Sequence, residues 1–318
     1  MASGVEKYNL TDEEFQKCLK MAEMKTFLQG VSYENPKSIF VVAQPGAGKT
    51  GLKSYSLNQA QIERAGVFIE VNPDEISLYH KYYDQIINEF PDESHAQLQK
   101  FVKPALDNYL RQKAVALRNN ILQEGTFGST QGYMEILDFQ KNGGKAKIGP
   151  LKDDNTREEV NVRGNYQIEI NVLAVHKFES LLSSYEREQY FVESNLTPRA
   201  VTLENHDYSY NKMLDTLKQI EENKLFDKIR VFKRGRIETE PELVYISTGE
   251  NFSDIAKVVE KVREEEKEKL LKSPQNYLNR INALKSKHPS QNLLARLERL
   301  EQEFMIELEK EKNRGIER

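Results

Sequence analysis

The sequence predicts an α/β protein in which a mostly parallel sheet is flanked by helices and followed by a helical C-terminal extension. Short apolar runs alternate with longer stretches of helical periodicity, as in "SIFVV" followed by "KTGLKSYSLNQAQIERA". Such alternation is typical of strands that crossover helices join into a parallel sheet. Beyond Ser253 the chain reads as almost wholly helical and strongly charged, as in "KVVEKVREEEKEKLLKS".

The elements can be assigned in chain order. Thr11 and Glu14 form a capping-box pattern at the start of a helix that ends near Gly30 and places Cys18 on its apolar face. Strands are predicted at Ser38–Val42, Val67–Val71, the beginning of "NNILQEGTFGST", 167–175 and, as the last strand, Lys228–Phe232. Further helices are predicted at 50–65, 95–118, 129–141, 176–192 and 199–223.

Two segments stand apart from this alternation. Residues 142–165 are rich in Gly, Lys, Asp and Asn, which indicates an inserted loop or hairpin, open to motion. The extension repeats apolar residues at helical spacing, so it either docks on its own domain or pairs with a partner. They are Leu293, Leu294, Leu297, Leu300 and Phe304. We therefore predict a main domain over residues 1–250 and a charged helical extension over 251–318.

Composition excludes several classes of protein. The chain has 318 residues, of which 30% are charged, and a net charge of −4, which argues against a general nucleic-acid binder. A single cysteine allows no internal disulfide. Neither a secretory signal nor a membrane span is visible, so we expect a soluble, cytoplasmic protein with no membrane partner.

The loop "AQPGAGKT", residues 43–50, predicts a phosphate site. It fits the pattern G-x-x-x-x-G-K-[ST] with Ala43 in the first position, and it lies between a predicted strand and a predicted helix, as a P-loop requires. Lys49 would reach the β- and γ-phosphates of a nucleotide, and Thr50 would ligate Mg²⁺. The alternative is a strand–turn–helix junction with an incidental lysine. The expected nucleotide-binding residues are Gly46, Ala47, Gly48, Lys49, Thr50 and Gly51.

A carboxylate follows the second strand. The chain has no Asn-Lys-x-Asp stretch of the kind that reads guanine in GTPases, and this strand ends in "IEVNPDE", a loose match to motor ATPases. Asp74 would lie at the carboxyl edge of the sheet, where it could accept the proton of an attacking hydroxyl. Alternatively, Asp74 is the N-cap of the helix that follows. The neighbouring Glu75 is the other candidate for the catalytic base.

Other polar residues are predicted at the same edge. "EGT" ends the third strand, where Glu124 could hold a substrate hydroxyl or metal-bound water and Thr126 could donate to the substrate. Arg187 and Arg199 could stabilise the charge of a moving phosphoryl group. The alternative is a structural role for each: "EGT" would be a strand end followed by a glycine turn, and the two arginines would be solvated surface residues.

These segments together resemble the zeta toxins of bacterial toxin–antitoxin systems. The ordered set is "AQPGAGKTGL", "VNPDE", "EGTFGST", "LAVHKFESLLSSYERE" and the stretch from "TPRAVTLENHDY" to "FDKIRVFKR", which spans about residues 36–234. The resemblance implies a P-loop kinase fold and ATP-dependent phosphorylation of the sugar 3′-hydroxyl of UDP-N-acetylglucosamine, which interferes with cell-wall precursor synthesis. It also implies that a small helical antitoxin blocks the ATP site.

Site residues follow from the resemblance one by one. Lys49 and Thr50 match the nucleotide loop and Asp74 matches the catalytic base. Glu124 and Thr126 match substrate contacts, and Arg187 and Arg199 match a pair that clamps phosphate. The chain departs from the family at Ala43 and in the 142–165 insertion, and the nearest candidate for a further substrate-binding acid is Asp107.

Two other functions stay open at this point. One is a P-loop kinase of another small hydroxyl-bearing metabolite, or an NTPase. The other is an interaction module, in which the helical extension recruits a partner and the bound nucleotide serves only to order the fold. The identity of the acceptor, the roles of the extension and the insertion, the antitoxin and the oligomeric state are not determined by the sequence.

Overall fold

The computed structural model describes residues 4–90, 93–152, 156–194, 196, 200–235, 240–250 and 253–316. A 3₁₀ turn at Gly4–Tyr8 precedes the first helix. The strands are β1 (Lys37–Val42), β2 (Phe68–Val71), β3 (Asn120–Gly125), β4 (Gly144–Leu151), β5 (Arg157–Val162), β6 (Gln167–Ala174), β7 (Lys228–Lys233) and β8 (Glu242–Ser247). The helices are α1 (Asp12–Thr26), α2 (Lys49–Ile62), α3 (Pro73–Ser77), α4 (Tyr83–Glu89), α5 (Ser94–Ala105), α6 (Arg111–Ala116), α7 (Thr130–Asn142), α8 (Lys177–Glu193), α9 (Leu203–Glu222), α10 (Ile255–Lys272), α11 (Gln275–Lys285) and α12 (Gln291–Ile316).

The central sheet has the strand order β2-β3-β1-β6-β7-β8. The first five of these strands are parallel, and β8 runs antiparallel to β7 at the edge. This confirms the predicted P-loop kinase-like α/β fold. Because the strands are parallel, their carboxyl ends lie at one edge, and the loops after β1, β2 and β3 emerge side by side.

The apolar run of β1 explains why it lies in the middle of the sheet. Successive side chains of a strand point to opposite faces, and both faces of this one are covered. Ile39 and Val41 pack with Leu52 of α2 on one face. Phe40 and Val42 belong to the larger cluster on the other face.

Most predicted elements are confirmed, and one strand was missed. The capping box at α1 is present, because the Thr11 hydroxyl accepts from the Glu14 amide while the Glu14 carboxylate accepts from the Thr11 amide. Lys228–Phe232 was predicted to be the last strand, which is wrong, because β8 follows it. As an edge strand, β8 leaves Leu243 and Ile246 exposed and lacks the buried apolar run that marks the inner strands.

The 142–165 insertion contains a packed hairpin of β4 and β5. Ala146 and Val162 are buried in the main core. The Arg157 guanidinium lies 4.2 Å from the ring centroid of Tyr109. That ring belongs to a π-helical turn, Leu106–Leu110, which joins α5 to α6. The described part of the hairpin is thereby fixed against the helices that precede β3.

The C-terminal extension docks on its own chain. Ile255, Val259 and Val262 of α10 are buried in the main core beside the sheet. The leucine stripe of α12 packs with Tyr277 of α11 against Phe178, Leu181, Leu182 and Tyr185 of α8. Among the two readings of the stripe, docking on the chain itself is therefore the one observed. No helix in the described ranges combines the length and apolarity that a membrane crossing needs.

Candidate functional site

The loop after β1 has the backbone that the glycines predicted. Gly46 has φ of +74° and Gly48 has φ of +97°, in the left-handed region that favours glycine. Gly48 is the N-cap of α2, so the positive end of that helix faces the loop. Ala43, which replaces glycine in the motif, is fully buried with the core cluster of β1 and α2, so its methyl group is packed.

Lys49 begins α2 and turns toward the loop. Its Nζ donates to the carbonyl oxygens of Ala43, at 2.9 Å, and Gln44, at 3.4 Å. Burial lowers the pKa of Lys49 to about 8. The carboxylates of Glu124 and Asp74 act to raise that pKa, and the Arg187 guanidinium acts to lower it further. Three other predicted site residues thus lie within electrostatic range of this ammonium group.

Asp74 lies in the first turn of α3, directly after β2. The Asn72 side chain is the N-cap of α3 and accepts from the Asp74 amide at 2.9 Å. The cap reading of Asp74 is therefore wrong, since the preceding asparagine already fills that position. The Asp74 side chain is exposed at the edge of the sheet from which the phosphate loop also emerges.

Glu124 pairs in register with Val41, one residue before the end of β1. Its carboxylate lies 3.2 Å from the Nζ of Lys53, which also lies 2.9 Å from the carboxylate of Glu70. Lys53 therefore joins α2, β2 and β3 below the phosphate loop. Sequence analysis missed this residue, although its position one helical turn after Lys49 was a usable signal.

Thr126 begins a tight loop between β3 and α7. Its hydroxyl accepts from the Gly128 amide at 3.3 Å. Between them, Phe127 has φ of +53° and is fully buried against Tyr133, with ring centroids 4.5 Å apart. The loop is thus held by an aromatic anchor, and its polar groups lie at the same edge as Glu124.

Of the two predicted phosphate-binding arginines, the structure describes one. Arg187 is exposed on α8 and lies within electrostatic range of Lys49. Arg199 lies outside the described residues. A third arginine, Arg234 after β7, was missed. A Cβ added to Gly48 would lie 3.5 Å from its Nε, and its Nη1 donates to Ser183 of α8 at 2.9 Å.

Asp107, the candidate for a further substrate acid, lies in the π-helical turn before α6 and forms an ion pair with Arg111. The Arg111 Nε donates to Gln123 of β3 at 3.1 Å. This pair braces the underside of β3. The described residues contain no group of three or more His, Cys, Asp or Glu side chains that could hold a metal ion.

Comparison with known proteins places this arrangement in a family. The family model described as Zeta toxin matches residues 22–149 and 151–240, more than half of the chain. Toxin PezT of Streptococcus pneumoniae serotype 4 is 25% identical over 229 residues, which cover 71% of this chain and 79% of that protein. Toxin zeta of Streptococcus pyogenes is 25% identical over 228 residues, which cover 71% of this chain and 70% of that protein.

Solved structures share the fold. A chain from the characterization of the PezAT chromosomal toxin-antitoxin system of Streptococcus pneumoniae superposes with a TM-score of 0.65 at 23% identity, over 87% of this chain and 98% of that one. A chain of the AvrRxo1-ORF1:-ORF2 complex superposes with a TM-score of 0.50 at 12% identity, over 90% of each chain. At these identities the superpositions establish the fold.

Proposed function

The chain belongs to the zeta toxin family, and on that premise we propose that it is an ATP-dependent kinase of UDP-N-acetylglucosamine. The observation that carries the proposal is that Lys49, Asp74 and Glu124 lie at one edge of the sheet, on or directly after the neighbouring parallel strands β1, β2 and β3, with Arg187 within electrostatic range of Lys49. A base, an acceptor-binding acid and two cations are the groups that phosphoryl transfer to a hydroxyl requires.

The loop fits a triphosphate. Two glycines with positive φ and the amino end of α2 supply backbone N–H donors. Lys49, the first residue of α2, adds a positive charge beside them. Gly46, Ala47, Gly48, Lys49, Thr50 and Gly51 would hold the phosphates, and the Thr50 hydroxyl would hold Mg²⁺. Mg²⁺ bound there would neutralise part of the charge on the phosphate oxygens.

The residues then divide the chemistry among them. Asp74 accepts the proton of the acceptor hydroxyl, whose oxygen forms the new bond to the γ-phosphorus as the bond to the β-phosphate oxygen breaks. The products are ADP and a phosphomonoester. Lys49 and Arg187, together with Arg199, stabilise the charge on the transferred group. Glu124 and Thr126 orient the acceptor.

The acceptor assignment to the sugar 3′-hydroxyl rests on family resemblance, as does the role of toxin within a toxin–antitoxin system. The family resemblance also supports a small helical antitoxin as partner. Co-expression tests the biological role. Bacterial growth should be inhibited by the wild-type chain and restored by Lys49→Ala or by an antitoxin.

The deciding experiment incubates the protein with ATP, Mg²⁺ and a panel of UDP-sugars and measures phosphate addition by mass spectrometry. We expect one phosphate on UDP-N-acetylglucosamine. Asp74→Asn should keep ATP binding and lower the rate by roughly 10²–10⁴-fold. Glu75→Gln is the matched control, because it alters the exposed neighbouring acid of the same helical turn.

Each contrary outcome identifies a different error. ATP binding without transfer to any UDP-sugar would exclude the proposed acceptor. Transfer that survives in Asp74→Asn but is lost in Glu75→Gln would move the base to Glu75. Failure of the wild-type protein to bind ATP would exclude the kinase as a whole.

A further inference from the structure

Arg263 is an arginine of α10 buried in the interior. Its exposure is 2%, and it lies in the C-terminal extension, beyond the residues that match the family model. The guanidinium carbon lies 3.7 Å from the ring centroid of Tyr210 on α9. Nη1 donates to the Tyr210 carbonyl oxygen at 2.9 Å. This part of the extension is thus anchored inside the kinase-like domain.

The other end of the guanidinium reaches the phosphate loop. Nη2 of Arg263 donates to Oε1 of Gln44 at 3.3 Å. Nε2 of Gln44 donates to the carbonyl oxygen of Val175 at 2.7 Å and lies 3.2 Å from the hydroxyl of Ser180. All of these atoms are buried, so the Gln44 amide is held on both sides between β6, α8 and α10.

Gln44 is itself part of the loop. Its backbone carbonyl oxygen accepts from the Ala47 amide at 3.3 Å and lies 3.4 Å from the Nζ of Lys49. A displacement of Gln44 would therefore move the backbone carbonyl group that contacts Ala47 and Lys49. The side-chain contact with Arg263 and the backbone contacts with the loop meet in this one residue.

The charge of Arg263 is unusual for an interior position. Among the residues that the structure describes, no carboxylate is seen in an ion pair with Arg263, and its Nε has no hydrogen-bond partner. The Glu260 carboxylate, one helical turn earlier and exposed, acts on it only at longer range. Burying a cation without a directly paired carboxylate is costly, which makes the position a poor choice if packing were its only role. A positive charge one side chain away from a phosphate-binding loop has an evident use.

We propose that Arg263 is a positioning residue that holds the nucleotide loop in its binding conformation through Gln44. The C-terminal extension is then a working part of the nucleotide site. This inference rests on the proposed function, because it takes ATP as the ligand of the loop. A purely structural role would instead lower stability and leave the ATP affinity of the folded protein unchanged.

The test measures the Kd for ATP with Mg²⁺ by calorimetry in the full chain, together with the thermal unfolding midpoint. Arg263→Met keeps the length of the side chain and removes its charge and donors, and we expect about tenfold weaker binding. Gln44→Met removes the acceptor from the other side, together with the donors to Val175 and Ser180, and should weaken binding at least as much. The double variant should be little weaker than Gln44→Met alone, because the contact with Arg263 is already absent there.

Lys267→Met is the matched control. Lys267 lies one helical turn after Arg263 on α10 and pairs with Glu307 of α12 at 2.8 Å, within the extension itself. Its removal should lower the unfolding midpoint without changing the Kd for ATP. Arg263→Lys, which keeps the charge, should recover part of the affinity.

The outcomes separate this inference from the proposed function. If the wild-type chain binds no ATP, the proposed function fails and this inference fails with it. If the wild-type chain binds ATP and Arg263→Met binds it equally well, or if the two single effects add in the double variant, only the positioning role is overturned. If Arg263→Met does not fold, Arg263→Lys decides. A single ammonium group cannot donate to both the Tyr210 carbonyl oxygen and Gln44 in the arginine geometry, so its ATP affinity should lie below that of the wild type, and an unchanged Kd would overturn the positioning role.

Discussion

Gly46 and Ser180 are in direct contact across the phosphate loop and α8. A Cβ on Gly46 would lie 1.9 Å from the Ser180 carbonyl oxygen and 2.3 Å from the Ser184 Oγ. Two turns further along the same helix, α8 carries Arg187. The packing of one glycine on one helix therefore sets the distance between the loop that would bind ATP and an arginine that would act on its phosphate.

We predict that Gly46→Ala disrupts this contact. The methyl group meets a backbone oxygen that cannot move aside without shifting α8, and φ of +74° adds strain. We expect a loss of about 1–3 kcal/mol in the free energy of unfolding and at least about tenfold weaker ATP binding. Denaturant unfolding and calorimetry measure the two effects.

Gly51→Ala provides the stability control for this prediction. Gly51 lies within α2, and a Cβ there would have nothing within 4 Å. Alanine should therefore leave stability unchanged or raise it by up to about 1 kcal/mol. Equal destabilisation by the two substitutions would show that close packing against Ser180 is not the cause.

The second prediction concerns the pH dependence of ATP binding. Burial brings the pKa of Lys49 down to about 8, so the free protein loses this charge as the pH rises through 8. Bound phosphate favours the charged form, and ATP binding should take up a proton. We expect affinity to fall by up to about tenfold per pH unit above pH 8, measured by calorimetry in buffers of different ionisation enthalpy.

Lys49→Arg tests the assignment of that proton. Arginine stays charged across this range, so the variant should bind with an affinity independent of pH between 7 and about 9. The free protein also changes in stability. Since the folded-state pKa lies below the unfolded value of 10.5, the stability of the wild-type chain should rise between pH 8 and 10.5. An unchanged ATP affinity from pH 7 to about 9 in the wild type would contradict the prediction.

The third prediction concerns Lys53. Its ammonium group lies between the carboxylates of Glu70 and Glu124, and all three side chains are at most 35% exposed. Lys53→Met leaves two acids facing each other without a cation, and we expect a loss of about 1–3 kcal/mol in stability. If Glu124 binds the acceptor, the KM for the acceptor should rise while the KM for ATP stays nearly constant.

A second substitution separates the two effects of Lys53. Glu70→Gln in the Lys53→Met background removes one of the facing charges and should restore most of the stability. It should leave the KM for the acceptor raised, because Glu124 still lacks its partner. Recovery of both quantities together would mean that Lys53 acts only on stability.

The fourth prediction is loss of stability in mild acid. Burial lowers the pKa of His176 to about 3 and that of His80 to about 4, and it also lowers the pKa of His206. The imidazoles of His176 and His80 are protonated in the unfolded chain below about pH 6.5 and stay neutral in the folded one well below that pH. Their contribution to the free energy of unfolding should be fully present above pH 6.5. It should decrease as the pH drops toward the folded-state pKa values, by up to about 1.4 kcal/mol per imidazole per pH unit.

His176→Asn isolates one contribution. The Nδ1 of His176 accepts from the Phe178 amide at 3.3 Å as the N-cap of α8, and asparagine can replace that acceptor. Between pH 7 and 5, the dependence of the free energy of urea unfolding on pH should be less steep in the variant, by up to about 1.4 kcal/mol per pH unit. An identical slope in the variant would remove His176 from the cause.

Local sequence patterns were sufficient for much of the fold. The capping box of α1, the buried run of β1 and the glycine loop before Lys49 each depend on neighbouring residues, and each is found where the pattern predicts it. β8 was missed because an edge strand is stabilised by pairing with its neighbour, and its own sequence contains no run of buried apolar residues.

The α/β class, the glycine loop before Lys49, the order of the edge residues from Lys49 to Arg187 and the resemblance to zeta toxins can all be inferred from the amino-acid sequence. Three contacts required the folded chain: Lys53 with Glu124, Arg234 beside Gly48, and Arg263 with Gln44, which lies 219 positions away in the chain. The difference lies in the range of the interactions. Caps, turns and alternation are set by neighbours in the chain, whereas buried polar contacts depend on which helices pack together.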